Sequence, residues 1–410
     1  MYSTIPGILD DLVALMGDRV RQVPKRNKIF LNGFFLEYPL KLTNLLKVTG
    51  LGLFLKITSV FAIQKFLNLF LRKPATSYED FMIQTFGKPT YQLIFQPLAE
   101  KVWGKPKSLH PDMARIRVPA LNTFHLILRL LKILPENKET NAQYFYYPKK
   151  GFGDFAQKLK EEIEKNGGKI LTRATVVNIQ QKNDLITNVN ISLNGTEQNI
   201  PCEKLISSIP LGQLLSYLTP NFINDKPLHA RHLILVYIFV NKPKVSEEQW
   251  VFFPEQKFLF SRLSEQKNMS PDIAPKERTV LCCDFTCEET SEVWSANNKV
   301  LIDDCAQQLV AAKFLDLHDI ELSECFVIRK PHFYPRYDLD YLDKMGQISE
   351  KLKMTKNLLT TGRLGMFNYN NSDHCFDMGK FIAQGLAENK SCRMIWENLE
   401  KRVRDYKIVD

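Results

Sequence analysis

The chain has 410 residues, of which 44% are hydrophobic and 24% charged, and its formal net charge is +10. This length is too great for one ordinary compact domain, and the composition excludes a disordered or low-complexity protein. The positive charge allows an anionic partner, but the sequence has no zinc-finger spacing, RNP-type aromatic motif or arginine-rich arm, so we expect no nucleic-acid role.

The first twenty residues lack the basic segment and the apolar run of a secretion signal, and they carry Asp10 and Asp11. Eight cysteines in a chain of this length form no dense disulfide framework, which favours a reducing compartment, so we predict a cytoplasmic protein. Cys282, Cys283 and Cys287 are predicted to be buried strand thiols, because no second Cys/His pair stands at ligand spacing. No metal site is expected.

The first readable elements are a hairpin and a helix pair. Apolar runs on both sides of Asn32-Gly33 predict a β-hairpin over residues 25–38. Residues 41–73 have helical apolar spacing that is broken at Gly50 to Gly52, and this pattern predicts two helices.

The helix pair is basic and contains no acid. Its basic residues are Lys41, Lys47, Lys56, Lys65, Arg72 and Lys73. We favour a helix pair whose apolar face is covered by the rest of its domain and whose basic face is solvated; the alternative is peripheral contact with anionic lipid through residues 41–73. The charges exclude a membrane-spanning segment here.

Residues 143–179 predict a strand, a glycine-containing turn, a helix and a second strand. Gly151 to Ala156 matches the letters of the dinucleotide fingerprint. However, Lys149 and Lys150 precede the first glycine, and Arg173 stands near the position of the acid that would bind the ribose. The sequence therefore favours a sharp backbone turn over NAD binding.

Strands are predicted over 185–193, 203–209, 230–240 and 278–286, followed by a long helix over 291–316. Near the end, a short strand leads through a loop into one long helix over 374–405, with Asp373 at its N-cap. A strand-loop-helix crossing directs free N–H groups and the helix dipole at one point, and Arg363 adds fixed donors. From the residues alone, an anion or electron-rich ring and an ordinary loop are equally compatible with this pattern.

Four segments, taken in chain order, resemble landmarks of the FAD-dependent amine oxidase and protoporphyrinogen oxidase superfamily, close to its UDP-galactopyranose-mutase-like members. They are residues 95–117, 146–179 (YYPKKGFGDF…), 203–210 (EKLISSIP) and 357–379 (NLLTTGRLGMFNYNNSDHCFDMG). The last segment is the most specific. The resemblance implies FAD as cofactor and these binding residues: Val176 at the adenine, Pro210 on the strand returning to the flavin, Gly362 and Arg363 near the ribityl chain and diphosphate, and Asn371, Asp373 and His374 beside the ring.

The family's first landmark, a strand, G-x-G-x-x-G, helix and acid-ending strand, has no counterpart in the sequence. Three explanations stay open: a start codon placed too late, a degraded gene, or a split protein whose first piece is another chain. Because that unit grips the diphosphate and ribose in the family, we expect the chain as given to bind FAD weakly or not at all.

The resemblance implies an α/β fold in which an N-terminally truncated, Rossmann-like FAD domain is interleaved with an α+β substrate domain. We expect an N-terminal remnant and first substrate part over residues 1–145, an FAD part over 146–215, a second substrate part over 216–350 and a final FAD part over 351–410. The implied function is an FAD-dependent oxidoreductase that removes hydride from a small-molecule substrate.

No residue is identified as a general base. The first choices for substrate contact are aromatic and charged residues that precede the flavin strand, although an exposed polar turn fits them equally. They are Tyr334, Arg336, Tyr337 and Asp338. Two alternatives remain: a flavin-dependent nucleotide-sugar mutase, whose arginine pair for the diphosphate the sequence does not place, and a non-catalytic remnant that acts as a binding or membrane-peripheral protein.

Overall fold

A computed structural model describes residues 1–37, 42–71, 74–116, 143–225 and 227–408. The chain forms two compact units, each assembled from separate stretches of sequence. The first unit comprises Met1–Asp18, Phe152–Ala230 and Asp340–Val409, and the second comprises Arg19–Gly151 and Arg231–Leu339.

In these ranges the strands are β1 (Val20–Pro24), β2 (Asn27–Leu31), β3 (Phe34–Glu37), β4 (Tyr144–Pro148), β5 (Ala174–Lys182), β6 (Leu185–Leu193), β7 (Thr196–Pro201), β8 (Leu205–Ser207), β9 (Ala230–Val240), β10 (Trp250–Phe252), β11 (Arg262–Glu265), β12 (Thr279–Cys287), β13 (Phe326–Pro335) and β14 (Leu358–Thr360). The α-helices are α1 (Ile8–Met16), α2 (Leu42–Leu71), α3 (Tyr78–Phe86), α4 (Lys88–Thr90), α5 (Gln96–Trp103), α6 (Asp112–Arg115), α7 (Gly153–Lys165), α8 (Leu211–Leu218), α9 (Pro220–Asp225), α10 (Glu292–Ser295), α11 (Asn298–Ala311), α12 (Tyr341–Lys353), α13 (Gly362–Gly365), α14 (Ser372–Ala387) and α15 (Cys392–Arg404).

The second unit contains a seven-stranded sheet in the order β13-β9-β12-β11-β10-β2-β3. The predicted hairpin is confirmed, since β2 and β3 pair antiparallel with Leu31 opposite Phe34. Asn32 (φ 52°) and Gly33 (φ 81°) occupy the left-handed region, as a two-residue primed turn requires. Strand β10 continues the sheet by pairing in parallel with β2.

One face of this sheet carries the main hydrophobic core of the second unit. Alternate residues of β9 and β12, such as Val236 and Cys283, are fully buried there against Leu301 and Leu309 of α11. The core also includes a group of phenylalanine rings whose centroids lie 4.8–5.9 Å apart. Burial of these apolar side chains is the main stabilising term for the unit.

Helix α2 contains the predicted break, because Gly50 leaves the helical region with φ 68° and ψ 170°. Ile57 packs in a smaller cluster with Ile29 and Ile94 on the other face of the sheet. Part of the apolar surface is nevertheless uncovered, and Leu51 is 67% exposed. Of the basic residues in this stretch, Lys41, Arg72 and Lys73 and the side chains of Lys47 and Lys65 lie outside the described residues.

The first unit has two small sheets. Strands β5, β6 and β7 form an antiparallel meander, and β8 pairs in parallel with β14. Asn357, just before β14, links the two sheets: its side-chain oxygen accepts from the Ile186 N–H at 2.8 Å, and its amide donates to the carbonyls of Ile186 and Glu203 at 2.8 and 2.9 Å. These bonds fix the position of β14 along β8.

The α/β fold class is confirmed, but two long helices were predicted wrongly. The predicted helix over 291–316 is two helices, α10 and α11, and the second starts at an N-cap, Asn297, that accepts from Lys299 N–H at 2.8 Å. The predicted helix over 374–405 ends at Ala387, and Asn389 takes φ 55° before Ser391 caps α15. In each case a capping side chain stabilises a new start more than the apolar periodicity favours continuation.

The strands β1, β7, β10, β11 and β13 were not predicted. Strand β4 pairs antiparallel with β1 in a two-stranded ribbon, so the strand before Gly151 is not part of a parallel dinucleotide-binding sheet. Gly151 itself has φ 92°, which confirms the predicted sharp turn.

The three clustered cysteines are buried on β12, as predicted. Cys282, Cys283 and Cys287 are 3%, 0% and 6% exposed. Burial raises the pKa of Cys282 to about 12, so this thiol stays protonated and unreactive at neutral pH. Within the described ranges, none of the helices combines the length and the apolar content that crossing a bilayer requires.

Candidate functional site

The predicted loop follows β14 in the first unit, where two parallel strands end together. Leu358, Leu359 and Thr360 pair with Leu205, Ile206 and Ser207, and the Thr361 N–H extends the ladder to the Ser207 carbonyl at 2.9 Å. The predicted strand and loop are thereby confirmed, and the loop leaves the carboxyl end of a parallel strand. In open α/β sheets this edge is where ligands bind.

Two glycines let the loop turn against the end of β8. Gly362 has φ 77°, which side-chain-bearing residues rarely adopt. At Gly365 a Cβ atom would stand 2.9 Å from the Ser207 carbonyl oxygen and 3.1 Å from the Ser208 Cα. The backbone of Gly365 therefore packs directly against the backbone of Ser207 and Ser208. The short helix α13 has room only for glycine at this position.

Arg363 closes the loop on itself. Its Nε donates to the Asn370 carbonyl at 3.0 Å, its Nη2 donates to the same oxygen, and its guanidinium lies 5.6 Å from the Tyr369 ring centroid. The structure thus gives Arg363 a role in holding the loop. A contact between Arg363 and a diphosphate stays a prediction.

The start of α14 differs from the prediction. Asn371, not Asp373, is the N-cap: its side chain accepts from the His374 N–H, and the Asn371 N–H donates to His374 Nδ1 at 3.1 Å. Asparagine and histidine thereby form a reciprocal capping box, which leaves Asp373 buried in the first turn. Burial also lowers the pKa of His374, so its ring is neutral and can accept this bond.

Three buried polar atoms of the loop have no hydrogen-bond partner among the described residues. They are Thr361 Oγ1, Asn368 Oδ1 and Asn370 Nδ2. Leaving such atoms unpaired costs about 1–3 kcal/mol each, so a ligand that supplies partners would gain that free energy. These residues lie within the motif that the sequence predicts, but which of their polar atoms lack a partner depends on neighbours in space that the sequence does not show.

The two remaining cofactor candidates lie elsewhere in the first unit. Val176 is in β5, and its carbonyl accepts from the Tyr217 hydroxyl at 2.9 Å. Pro210 precedes α8 with φ −51° and ψ 130°, and its carbonyl accepts from Leu214 N–H at 3.0 Å. Their roles at an adenine and a flavin stay predictions.

The substrate candidates lie at the end of β13 in the second unit, and they do not form an exposed turn. Tyr337 is 2% exposed, and its carbonyl accepts from His110 N–H at 2.8 Å. Arg336 donates to Glu288 at 3.1 Å and pairs with Asp338 at 2.9 Å. Tyr334 packs edge-on against Trp103, with ring centroids 5.6 Å apart.

A second arginine reaches the same carboxylate. Arg231, whose side chain is 7% exposed, also forms an ion pair with Glu288. The structure therefore brings Arg231 and Arg336 together, 105 positions apart in numbering, which the sequence analysis could not do. The signal was absent from the sequence because strands β9 and β13 meet only in the folded sheet.

Several solved structures share this fold. A reduced UDP-galactopyranose mutase superposes with a TM-score of 0.78 at 18% identity, covering 96% of this chain and 84% of that one. A protein of Exiguobacterium sp. 255-15 assigned as a protoporphyrinogen oxidase gives 0.67 at 14% identity, with 98% and 86% coverage. A putrescine oxidase bound to putrescine gives 0.57 at 11% identity, with 94% and 87% coverage. These likenesses confirm the fold.

The family is assigned from the sequence. The model of the family described as flavin containing amine oxidoreductase matches residues 17–290, well over half of the chain. The match is consistent with the fold that the chain shares with these solved structures. The chain belongs to the flavin containing amine oxidoreductase family.

Proposed function

We propose that the protein is an FAD-dependent oxidoreductase whose 361–374 loop contacts the flavin. The observation that carries the proposal is the set of unpaired buried polar atoms, Thr361 Oγ1, Asn368 Oδ1 and Asn370 Nδ2, in the loop at the end of β14. A flavin presents ring carbonyls, ring nitrogens and ribityl hydroxyls, which can pair with donors and acceptors of this kind.

The residues of the 361–374 loop are chemically compatible with a bound flavin. Gly362 and Gly365 keep side chains away from the strand end, Arg363 holds the loop closed, and the cap of α14 fixes its far end. When bound, FAD supplies the acceptor for hydride from the substrate. The protein's part is to orient the ring and exclude water from the reacting face.

The proposal is tested by the pair Thr361→Val and Thr360→Val. Thr361→Val removes a hydroxyl without a partner, so we expect unchanged or slightly higher thermal stability but about 5- to 10-fold weaker FAD binding, the loss of one hydrogen bond. Thr360 is the matched control, because its hydroxyl already donates to Met366 Sδ at 3.2 Å. Replacing Thr360 is expected to lower stability slightly and leave FAD affinity unchanged.

FAD binding is measured on the full chain by flavin fluorescence and by differential scanning calorimetry over a titration that reaches millimolar FAD. This range keeps even weak binding measurable. Equal FAD affinities of the wild type and Thr361→Val would show that the loop does not contact flavin in this protein.

A flavin-dependent nucleotide-sugar mutase is the second candidate. It is favoured by the superposition on UDP-galactopyranose mutase and by the meeting of Arg231 and Arg336, since two guanidinium groups can bind a diphosphate. In the structure both groups bind Glu288, which would have to be displaced. A mutase would convert UDP-galactopyranose to an isomer of equal mass with reduced flavin and no electron acceptor, whereas an oxidoreductase requires an acceptor.

Peripheral membrane contact is a further candidate role, favoured by the exposed apolar residues of α2. Leu51, Leu55 and Ile63 are 67%, 56% and 59% exposed, and Lys56 on the same helix is exposed. Such a helix can insert apolar side chains at the interface while its lysines meet anionic headgroups.

We expect Leu51→Ser/Leu55→Ser to reduce flotation of the protein with phosphatidylserine-containing liposomes at least several-fold. Wild-type protein should float with these liposomes and less with purely zwitterionic ones, because the electrostatic term is lost. Val300→Ser is the control, because Val300 is 52% exposed but lies on α11. Equal flotation of all three proteins would rule out contact through α2.

A further inference from the structure

The second face of the sheet in the second unit is partly polar. The strand register places two rows of side chains across this face. Trp250, Ser264, Cys282 and Tyr237 stand side by side in one row, and Arg262 and Asp284 are directly opposed in the next. This face lies opposite the hydrophobic core on α11, because neighbouring residues of a strand point to opposite faces.

Arg262 and Asp284 form an ion pair of defined geometry. Arg262 Nε donates to Asp284 Oδ2 at 2.6 Å, and the Asp284 side chain is 9% exposed whereas that of Arg262 is 39% exposed. The terminal nitrogens Nη1 and Nη2 have no partner among the described residues. The carboxylate therefore holds the inner edge of the guanidinium and leaves its outer edge open to solvent.

Stability alone does not account for this pair. Burial raises the pKa of Asp284 even though Arg262 opposes the shift, so the surroundings disfavour the charged carboxylate. Apolar residues of similar volume often replace a buried ion pair without loss of stability. A guanidinium that is paired on one edge with a buried carboxylate at some loss of stability, and whose terminal nitrogens are unpaired, is typical of a binding site.

Aromatic side chains share this sheet face with the ion pair. Tyr237 stacks on Phe326 with ring centroids 4.8 Å apart, and the ring centroids of Trp250 and Phe145 lie 6.0 Å apart. Asp284 and Tyr334 both raise the pKa of Arg262. Burial raises the pKa of Tyr237 to about 12, so its hydroxyl stays neutral. The site thus offers one fixed cation beside flat apolar surfaces.

We propose that Arg262, oriented by Asp284, binds an anionic oxygen group, a carboxylate or a phosphate, of a substrate whose body is aromatic or otherwise flat and apolar. Two terminal N–H groups on a planar fork match two oxygens of either anion, and the surrounding rings cover the apolar body. The inference rests on the proposed function only in calling this molecule a substrate, because binding to the second unit needs no flavin.

The test uses the full chain without added flavin and three probes of similar size: benzoate, phenyl phosphate and the neutral benzyl alcohol. We expect one or both anions to bind more tightly than benzyl alcohol in calorimetric or NMR titrations, and the tighter anion identifies the natural group. In Arg262→Gln the anion affinity should fall about 10- to 100-fold, as expected for loss of a charge-assisted contact, while benzyl alcohol binding stays unchanged.

Two further variants separate this effect from damage to the fold. Asp284→Asn keeps the guanidinium but removes its orienting carboxylate, so anion binding should weaken without disappearing. Arg26→Gln removes an arginine of the same unit that pairs at the surface with Glu247 at 3.1 Å, and it should bind all probes as the wild type does. The inference is overturned if neither anion binds more tightly than benzyl alcohol, or if Arg262→Gln binds them as tightly as the wild type. Because FAD is absent, a failure here is distinct from a failure of the flavin proposal.

Discussion

Asp377→Asn is expected to lower the free energy of unfolding by about 2–3 kcal/mol, the largest effect we predict for a single polar substitution in this protein. Asp377 is 3% exposed and accepts two parallel hydrogen bonds from Arg402, at 2.6 and 2.7 Å, and one from the Tyr406 hydroxyl at 2.5 Å. The carboxylate thereby ties α14 to α15 and to the segment after it. Asparagine cannot accept both bonds from Arg402, and its neutral amide does not pair with the guanidinium.

The same network extends toward the candidate loop. The His374 ring stacks on Tyr406 with centroids 4.4 Å apart and an interplanar angle of 19°, and His374 forms the capping box with Asn371. Weakening the bond between Asp377 and Tyr406 should therefore also loosen the start of α14. We expect faster amide hydrogen exchange at residues 371–374 in the variant.

The pH dependence gives an independent check. Burial raises the pKa of Asp377, but its hydrogen bonds with Arg402 and Tyr406 outweigh burial, and the net shift is downward. A carboxyl whose pKa is lower in the folded state stabilises the protein fully above its unfolded pKa, about 4, and loses that contribution as pH falls through the folded value. The stability difference between wild type and Asp377→Asn should therefore be constant from pH 5 to 7 and shrink below pH 4.

Urea denaturation at pH 7 and at several lower pH values measures this effect. Glu397→Gln is the matched control, because Glu397 forms an exposed ion pair with Arg393 on the same helix α15 and should change stability by less than about 0.5 kcal/mol. A difference between Asp377→Asn and Glu397→Gln of less than 1 kcal/mol at pH 7 would contradict the role assigned to the network.

Gly365→Ala and Gly379→Ala are expected to change stability in opposite directions. At Gly365 the added Cβ would press on the backbone of Ser207 and Ser208, so the contact between the loop and β8 must open, at a cost of about 1–3 kcal/mol. Gly379 lies within α14 with no atom within 4 Å of the new methyl group, and alanine should raise stability there by about 0.5–1 kcal/mol.

Thermal or urea unfolding of the two variants provides the comparison, and FAD titration of the same proteins adds a second readout. Gly365→Ala should weaken FAD binding because it displaces Thr361 and its neighbours, whereas Gly379→Ala should leave it unchanged. If Gly365→Ala is as stable as the wild type, the close approach of loop and strand does not hold in solution.

Local chemistry was sufficient to predict several elements of this protein. The primed turn at Asn32-Gly33 was predictable because few other residue pairs adopt two left-handed conformations in succession. The strand and loop around Gly362 were likewise predictable from neighbouring residues. The resemblance of four segments, taken in chain order, identified the family that the match over residues 17–290 confirms. In these places the signal lies within about ten consecutive residues.

Elsewhere the outcome depended on contacts between residues far apart in the chain. The sequence assigned Asp373 as the cap of α14, but packing buries Asp373 and lets Asn371 and His374 cap each other. Arg262 and Asp284 meet only because β11 and β12 pair in one register, and a shift of one residue would place them on opposite faces. The sequence by itself determined the family and the local turns, whereas strand register and burial, which no local pattern encodes, decided which polar groups are paired and which stay open to a ligand.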